Sequence, residues 1–145
     1  MQKLKHYCGY QERCHDEVRD KLYSLGIKKS DHGEIIASLI EDGHLNEERF
    51  AIAFVSGKWK MKQWGRAKIK YELKKKQISD YCINKALKQI NEEEYLSVLK
   101  ELADKKYTSL KNEQYPVRKK KTMDYLLQKG YEFPLISQQI NKHTE

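Results

Sequence analysis

The sequence predicts an all-α protein, an elongated tandem array of three small three-helix modules of helix-turn-helix type. Three observations predict it. Apolar residues recur at spacings of three and four, and no segment shows the alternation a half-buried strand requires. The two prolines, Pro116 and Pro134, and most of the seven glycines stand where helices should start or stop. The third observation is an internal repeat. Val18-x3-Leu22-x4-Ile27 recurs as Ile69-x3-Leu73-x4-Ile78, and again as Leu126-x4-Tyr131 with Thr122 or Met123 in the first slot. Each copy then presents an apolar pair four apart: Ile36 and Ile40, Ile83 and Leu87, Ile136 and Ile140. Modules are therefore expected at 1–45, 46–90 and 91–145.

The elements follow in order. A first helix is expected from about Tyr10 to Leu25, with Val18, Leu22 and Leu25 on one face and Gly26 as its stop. Ser30 or Asp31 can cap a second helix that carries Ile36, Leu39 and Ile40 and closes at Gly43. Asn46 caps a third, with Glu47 and Glu48 in the first turn, where they complement the helix dipole. Its inward stripe is expected to be Phe50, Ala53, Phe54, Gly57 and Met61. After Gly65 a fourth helix carries Ile69 and Leu73. Ser79 caps a fifth, with Ile83, Leu87 and Ile90. Asn91 with Glu94 starts a sixth, carrying Leu96, Leu99, Leu102, Ala103 and Leu110. A seventh spans about Pro116 to Lys129, and an eighth runs from Pro134 to about Lys142.

Composition narrows the class. With 39% hydrophobic and 34% charged residues, the chain is polar for one deep core, which favours small cores and an elongated shape. No apolar run resembles a signal peptide or approaches the roughly 20 residues of a membrane span, so a cytoplasmic monomer without membrane contact is expected. Cys8, Cys14 and Cys82 form no disulfide framework. Cys8, Cys14 and His15 near His6 lack a paired C-x-x-C and a downstream half, so reduced, structurally ordinary thiols are read and no metal.

Charge is the informative quantity. Residues 58–76 hold nine basic residues and one acidic, Glu72, an excess equal to the net charge of +8 of the whole chain. Both tryptophans, Trp59 and Trp64, lie in the same segment. Phosphates supply the opposite charge and bases can stack on indoles, so this segment is read as a polyanion-binding surface. The candidates are Lys58, Lys60, Lys62, Arg66, Lys68, Lys70, Lys74 and Lys75. Lys70 and Lys74 form a ridge at i and i+4. Trp59 and Trp64 either stack on bases or plug the core. A second run, Arg118, Lys119, Lys120 and Lys121, either extends the surface or solvates a helix.

No catalytic pattern accompanies this charge: there is no phosphate loop, nucleophile elbow or paired-histidine metal spacing. Glu47-Glu48 and Glu92-Glu93-Glu94 lie at helix starts and read as dipole partners. The chain is expected to be a binding protein, with no enzyme activity and no cofactor.

Three segments also carry a resemblance. The stretch from Leu39 through Gly43, Leu45, Asn46, Glu47 and Phe50 to Ala51 resembles the core motif of RecX regulatory proteins. Gly65-x3-Ile69-x2-Glu72-Leu73-x2-Lys76-x-Ile78 is similar to the segment that follows it in that family, and Arg13-Cys14-x2-Glu17-Val18-x2-Lys21-Leu22 to the one that precedes it. The departures are Cys14 for a usual serine, Val18 for leucine and Gln77 for glycine. The resemblance implies tandem three-helix modules and a modulator of the bacterial recombinase RecA. It would engage the RecA–DNA filament and limit its growth, ATP hydrolysis and strand exchange, within homologous recombination, DNA repair and the SOS response. Partners would be the RecA filament and single- and double-stranded DNA. The alternative is a DNA-binding transcriptional repressor of helix-turn-helix type, which would prefer one duplex site over RecA-coated single strands.

Overall fold

The computed structural model describes residues 1–143, so Thr144 and Glu145, the end of the third expected module, lie outside the described residues. Among the described residues there are nine helices and no strand: α1 (Gln2–Tyr10), α2 (His15–Ser24), α3 (Lys29–Glu41), α4 (Glu47–Lys62), α5 (Arg66–Lys75), α6 (Asp80–Leu87), α7 (Glu92–Ser109), α8 (Tyr115–Lys129) and α9 (Phe133–Lys142). The all-α expectation holds. The helices form two compact units, one of residues Met1–Val55 and Glu72–Ala86, the other of Ser56–Tyr71 and the chain from Leu87 on.

The repeat has a structural cause. In each copy the residue in the last slot donates its amide to the carbonyl of the middle slot: Ile27 to Leu22 at 3.0 Å, Ile78 to Leu73 at 3.1 Å and Tyr131 to Leu126 at 3.1 Å. This is the closing bond of a Schellman motif, which needs a left-handed residue just before the donor. That residue is Gly26 at φ 76°, Gln77 at 65° and Gly130 at 100°. The first slot of the third copy is Thr122, fully buried, whose hydroxyl donates to the Arg118 carbonyl at 2.8 Å.

Several elements differ from expectation. The helix expected from Tyr10 is two: α1 ends at Tyr10, and α2 begins at His15 behind Cys14, whose amide donates to Glu17 Oε1 at 2.9 Å. α1 escapes a periodicity reading because it buries only Leu4 and Cys8 among polar neighbours. α3 starts ahead of the expected caps, with Lys28 at its N-cap and Ser30 and Asp31 inside the first turn. The expected pair four apart is buried in the third copy, Ile136 with Ile140, whereas in the first two copies the buried pair is spaced by three, Ile36 with Leu39 and Ile83 with Ala86; Ile40 is exposed and Leu87 half-buried.

The stripe of α4 is also rotated. Phe50, Ala51, Val55 and Trp59 are buried, Phe54 and Gly57 are half-buried, and Ala53 and Met61 are exposed. Asn46 does cap α4, accepting from the Arg49 amide at 2.8 Å. In the first unit α2 and α3 pack together, and Leu4, Cys8, Val18, Leu22, Ile36, Leu39 and Leu45 form a core. In the second, α7, α8 and α9 pack on one another and bury Tyr95, Leu99, Leu102, Ala103, Leu126, Ile136 and Ile140.

Candidate nucleic-acid interface

Within the second unit, the basic segment runs through the end of α4, a three-residue connector and the start of α5. The connector is fastened to the turn between α8 and α9. Gly65 donates to the Lys129 carbonyl at 2.8 Å, and Ala67 to the Gly130 carbonyl at 2.9 Å. Lys129 Nζ and the Tyr131 hydroxyl donate to the carbonyls of Lys62 and Gln63, at 3.0 and 2.8 Å. These are the groups an ending helix leaves without partners. Burial, and then the neighbouring Lys68, push the Lys129 ammonium below its ordinary pKa. The connector is rigidly placed, and Gln63 is held at φ 55°.

The two tryptophans part company. Trp59 is buried, its ring 5.4 Å from that of Tyr95, which in turn lies 5.2 Å from Tyr131. Trp59 is core, so the stacking alternative is replaced by burial. Trp64 is half-buried, with Lys58 Nζ 4.9 Å and Lys68 Nζ 4.3 Å from its ring centroid. That arrangement leaves an indole among cations.

Arg66 is also placed differently from the sequence reading. Its guanidinium lies 4.0 Å from the Tyr95 ring centroid and pairs with Glu92 and Glu132, each at 2.7 Å. Its amide donates to the Tyr95 hydroxyl at 2.9 Å, and that hydroxyl donates to Glu132. Burial opposes the Arg66 charge, but the two carboxylates outweigh it and hold the group more firmly protonated. A guanidinium neutralised by two carboxylates ties α5 to α7 and α9 and is no longer offered to phosphate. Tyr95, Glu92 and Glu132 were not legible as partners: they lie 26 to 66 positions away, and the only signal was an acidic residue two positions before Pro134 and another at a helix start.

The remaining lysines differ in their engagement. Lys60, Lys62 and Lys70 are exposed, and none of them makes an ion pair among the described residues. In the first unit Lys74 faces Asp80 at 3.4 Å and Lys75 faces Glu72 at 3.8 Å. There too the acidic start of α4 does more than complement a dipole. Glu47 accepts the Ser79 amide at 2.6 Å and Glu48 pairs with Lys85 at 2.7 Å, fastening α6. On α8, Arg118 stacks 3.7 Å from the Tyr107 centroid and donates to its carbonyl, Lys120 pairs with Asp124 and Lys121 with Glu113. Half of that second run, Lys120 and Lys121, is balanced by carboxylates within its own unit.

Comparison with known proteins agrees along most of the chain. Residues 46–87 match the family profile described as RecX, second three-helix domain, and residues 92–140 the one described as RecX, third three-helix domain. A Regulatory protein RecX from Clostridium perfringens is 32% identical over 130 residues, covering 88% of this chain and 60% of the relative. Another from Bacillus cytotoxicus is 26% identical, covering 90% and 48%. The chain thus spans about half to three-fifths of the length of these relatives. The crystal structure of RecX from Lactobacillus salivarius superposes with a TM-score of 0.84 at 29% identity, covering 97% of this chain and 92% of that one. No helix among the described residues is long and apolar enough to cross a membrane.

Proposed function

This chain belongs to the RecX family, and on that premise we propose that it is a non-catalytic regulator that binds the RecA–DNA filament and lowers RecA ATPase, filament growth and strand exchange. The observation that carries the reading is the group of exposed lysines without ion pairs, Lys60, Lys62 and Lys70, beside the half-buried Trp64 on a rigidly fastened connector. A filament offers a polyanion and acidic protein side chains along a repeating groove, and several weak charged contacts over successive subunits give tight, salt-sensitive binding. Lys58 and Lys68 belong to the same cationic surface; in the first unit Lys74 and Lys75 are separate phosphate contacts, their charge partly offset by neighbouring carboxylates. Lys119 and Arg118, with the balanced Lys120 and Lys121, are weaker contributors.

The chain acts in this reading as three modules, 1–45, 46–90 and 91–145; the profile matches at 46–87 and 92–140 support the second and third. Both single- and double-stranded DNA are ligands of the basic surface, and the protein works as a cytoplasmic monomer. The test is steady-state ATP hydrolysis by the cognate RecA on single-stranded DNA. Substoichiometric protein lowers it, more at low salt than at high, and the triple charge reversal Lys60→Glu, Lys62→Glu, Lys70→Glu removes most of the effect. Unchanged ATPase, filament length and strand exchange at equimolar protein in low salt overturns the reading.

A further inference from the structure

We propose that a recess in the first compact unit, between α1, the connector that follows it and the last turn of α2, binds one nucleotide, with the base against Tyr10 and the phosphate among cations. The recess has a volume of about 550 Å³, within the roughly 300–1,000 Å³ of small-ligand sites. Lys3, His6, Tyr7, Tyr10, Arg13 and Lys21 line it, and none of its lining residues is acidic. The nearby carboxylates are engaged with other groups. Glu12 pairs with Arg49 at 3.1 Å, Asp16 with Arg19 at 2.9 Å, and Glu17 accepts the Cys14 amide and faces Lys76 at 3.8 Å. Lys3, Arg13 and Lys21 make no ion pair among the described residues.

The recess is built as well as charged. Arg13 Nε donates to the Tyr7 carbonyl at 3.1 Å while its guanidinium carbon lies 3.8 Å from the Tyr7 ring centroid, which fixes the planar fork in one orientation. Lys21 Nζ lies 5.5 Å from the same centroid. Beside these cations the Tyr10 side chain is left 77% exposed. A phosphate satisfies the cations, and a planar base satisfies the open tyrosine face. An acidic peptide would meet the charges and leave Tyr10 in water, so the chemistry favours a nucleotide, whether free or one unit of a single strand. Neither α1 nor the recess lies in the segments that match the family profiles, and the inference needs no recombinase.

The test uses the full chain alone, followed by amide NMR during titration with thymidine monophosphate, a thymidine octanucleotide, inorganic phosphate and a tetraglutamate peptide. Both nucleotide ligands are expected to shift amides at residues 2–21, with the octanucleotide binding tighter if a strand is the natural source and equally if a free nucleotide is. Tyr10→Ala weakens binding about five- to hundredfold, the size of one lost base stack, and Lys3→Glu weakens it too. Both side chains are exposed, so the fold survives, and Tyr10→Phe retains binding. The proposal is overturned if phosphate or tetraglutamate binds as well as the mononucleotide, if Tyr10→Ala has no effect, or if no amide at 2–21 responds. Octanucleotide shifts confined to residues 58–70 overturn it while leaving the basic-surface reading intact.

Discussion

Gly65 and Gly130 meet backbone to backbone: a Cβ on Gly65 would overlap the Gly130 carbonyl and the Tyr131 amide, and a Cβ on Gly130 would overlap Lys68. The hydrogen bonds from Gly65 to the Lys129 carbonyl and from Ala67 to the Gly130 carbonyl exist only because neither side chain intervenes. Gly65→Ala therefore forces backbone apart and should cost about 1–3 kcal/mol or more. Gly130→Ala adds the strain of φ 100° and should cost at least as much. Denaturant melts of the two variants check this, and wild-type stability in either would show that the connector is not held as described.

Gln77 sits at φ 65° in the position that Gly26 and Gly130 fill in the other two copies of the repeat. The turn closes as the other two do, with the Ile78-to-Leu73 bond formed at 3.1 Å. A left-handed residue with a Cβ costs roughly 1–2 kcal/mol, partly offset by the greater chain entropy that glycine loses on folding. Gln77→Gly should thus raise stability by about 0.5–1 kcal/mol, measured as a shift in denaturant midpoint with no change in slope. A neutral or destabilising result would mean that the glutamine side chain makes contacts that outweigh the strain.

Those three turns also explain how much could be read from the chain. Val18/Leu22, Ile69/Leu73 and Thr122/Leu126 repeat because each pair sits just before the same backbone closure, and closures leave a sequence signature. The phase of α4 was illegible because Phe50 begins both a stripe through Phe54 and one through Ala51, Val55 and Trp59; tertiary packing, not spacing, chose the second. Arg66 misled for a similar reason. Its sequence neighbours are lysines, but its partners Glu92 and Glu132 come from α7 and the start of α9. Net charge locates a basic segment, and only the fold tells which of its charges are already neutralised.

Arg66, Tyr95 and Glu132 should behave as one structural unit. Arg66→Ala takes the guanidinium away from Glu132 and Glu92 and from the Tyr95 ring, a loss of about 1.5–3 kcal/mol for hydrogen bonds to charged groups. Arg66→Lys should recover little, because an ammonium cannot reach both carboxylates and stack on the Tyr95 ring. A double-mutant cycle with Glu132→Gln should return a coupling of about 0.5–3 kcal/mol. The salt dependence of DNA binding should stay as in the wild type. A flattened salt slope without loss of stability would restore Arg66 to the phosphate contacts.

Alkali should unfold the protein earlier than surface charge alone would. Burial pushes the Cys14 thiol up to about 11, and burial raises the Tyr95 and Tyr131 phenols well above their ordinary value, Tyr95 further through its bond to Glu132. Each group keeps its proton in the folded chain at a pH where the unfolded chain has released it. The stability they contribute is full below the unfolded values and is lost as pH rises through about 9 to 11 and beyond. Denaturant midpoints should be flat from neutrality to about pH 8.5 and fall above it, and tyrosinate absorbance from Tyr95 and Tyr131 should appear only with unfolding. Cys14→Ser should soften the fall between about pH 9 and 11. A midpoint that is flat to pH 11 would contradict the burial of these groups.

Trp64 offers a direct optical reading of the proposed surface. Lys58 and Lys68 both lie within 5 Å of its ring centroid, so a phosphate that draws either ammonium away changes the field at the indole. Trp59 packs on Tyr95 in the core and should stay silent. Trp59→Phe keeps an aromatic ring there and leaves Trp64 as the sole tryptophan of the chain. Titrating that variant with single-stranded DNA should change its emission in a saturable way, with affinity falling steeply as salt rises. Reversing Lys60, Lys62 and Lys70 to glutamate should weaken binding and lower the log–log salt slope by about 2, at roughly 0.7 per lost phosphate contact. The lysine reversals touch no buried group, so the fold provides its own control through unchanged helical circular dichroism. Emission that responds to DNA with an unaltered slope would place the contact on other cations of the segment, and emission that never responds would remove Trp64 from the interface.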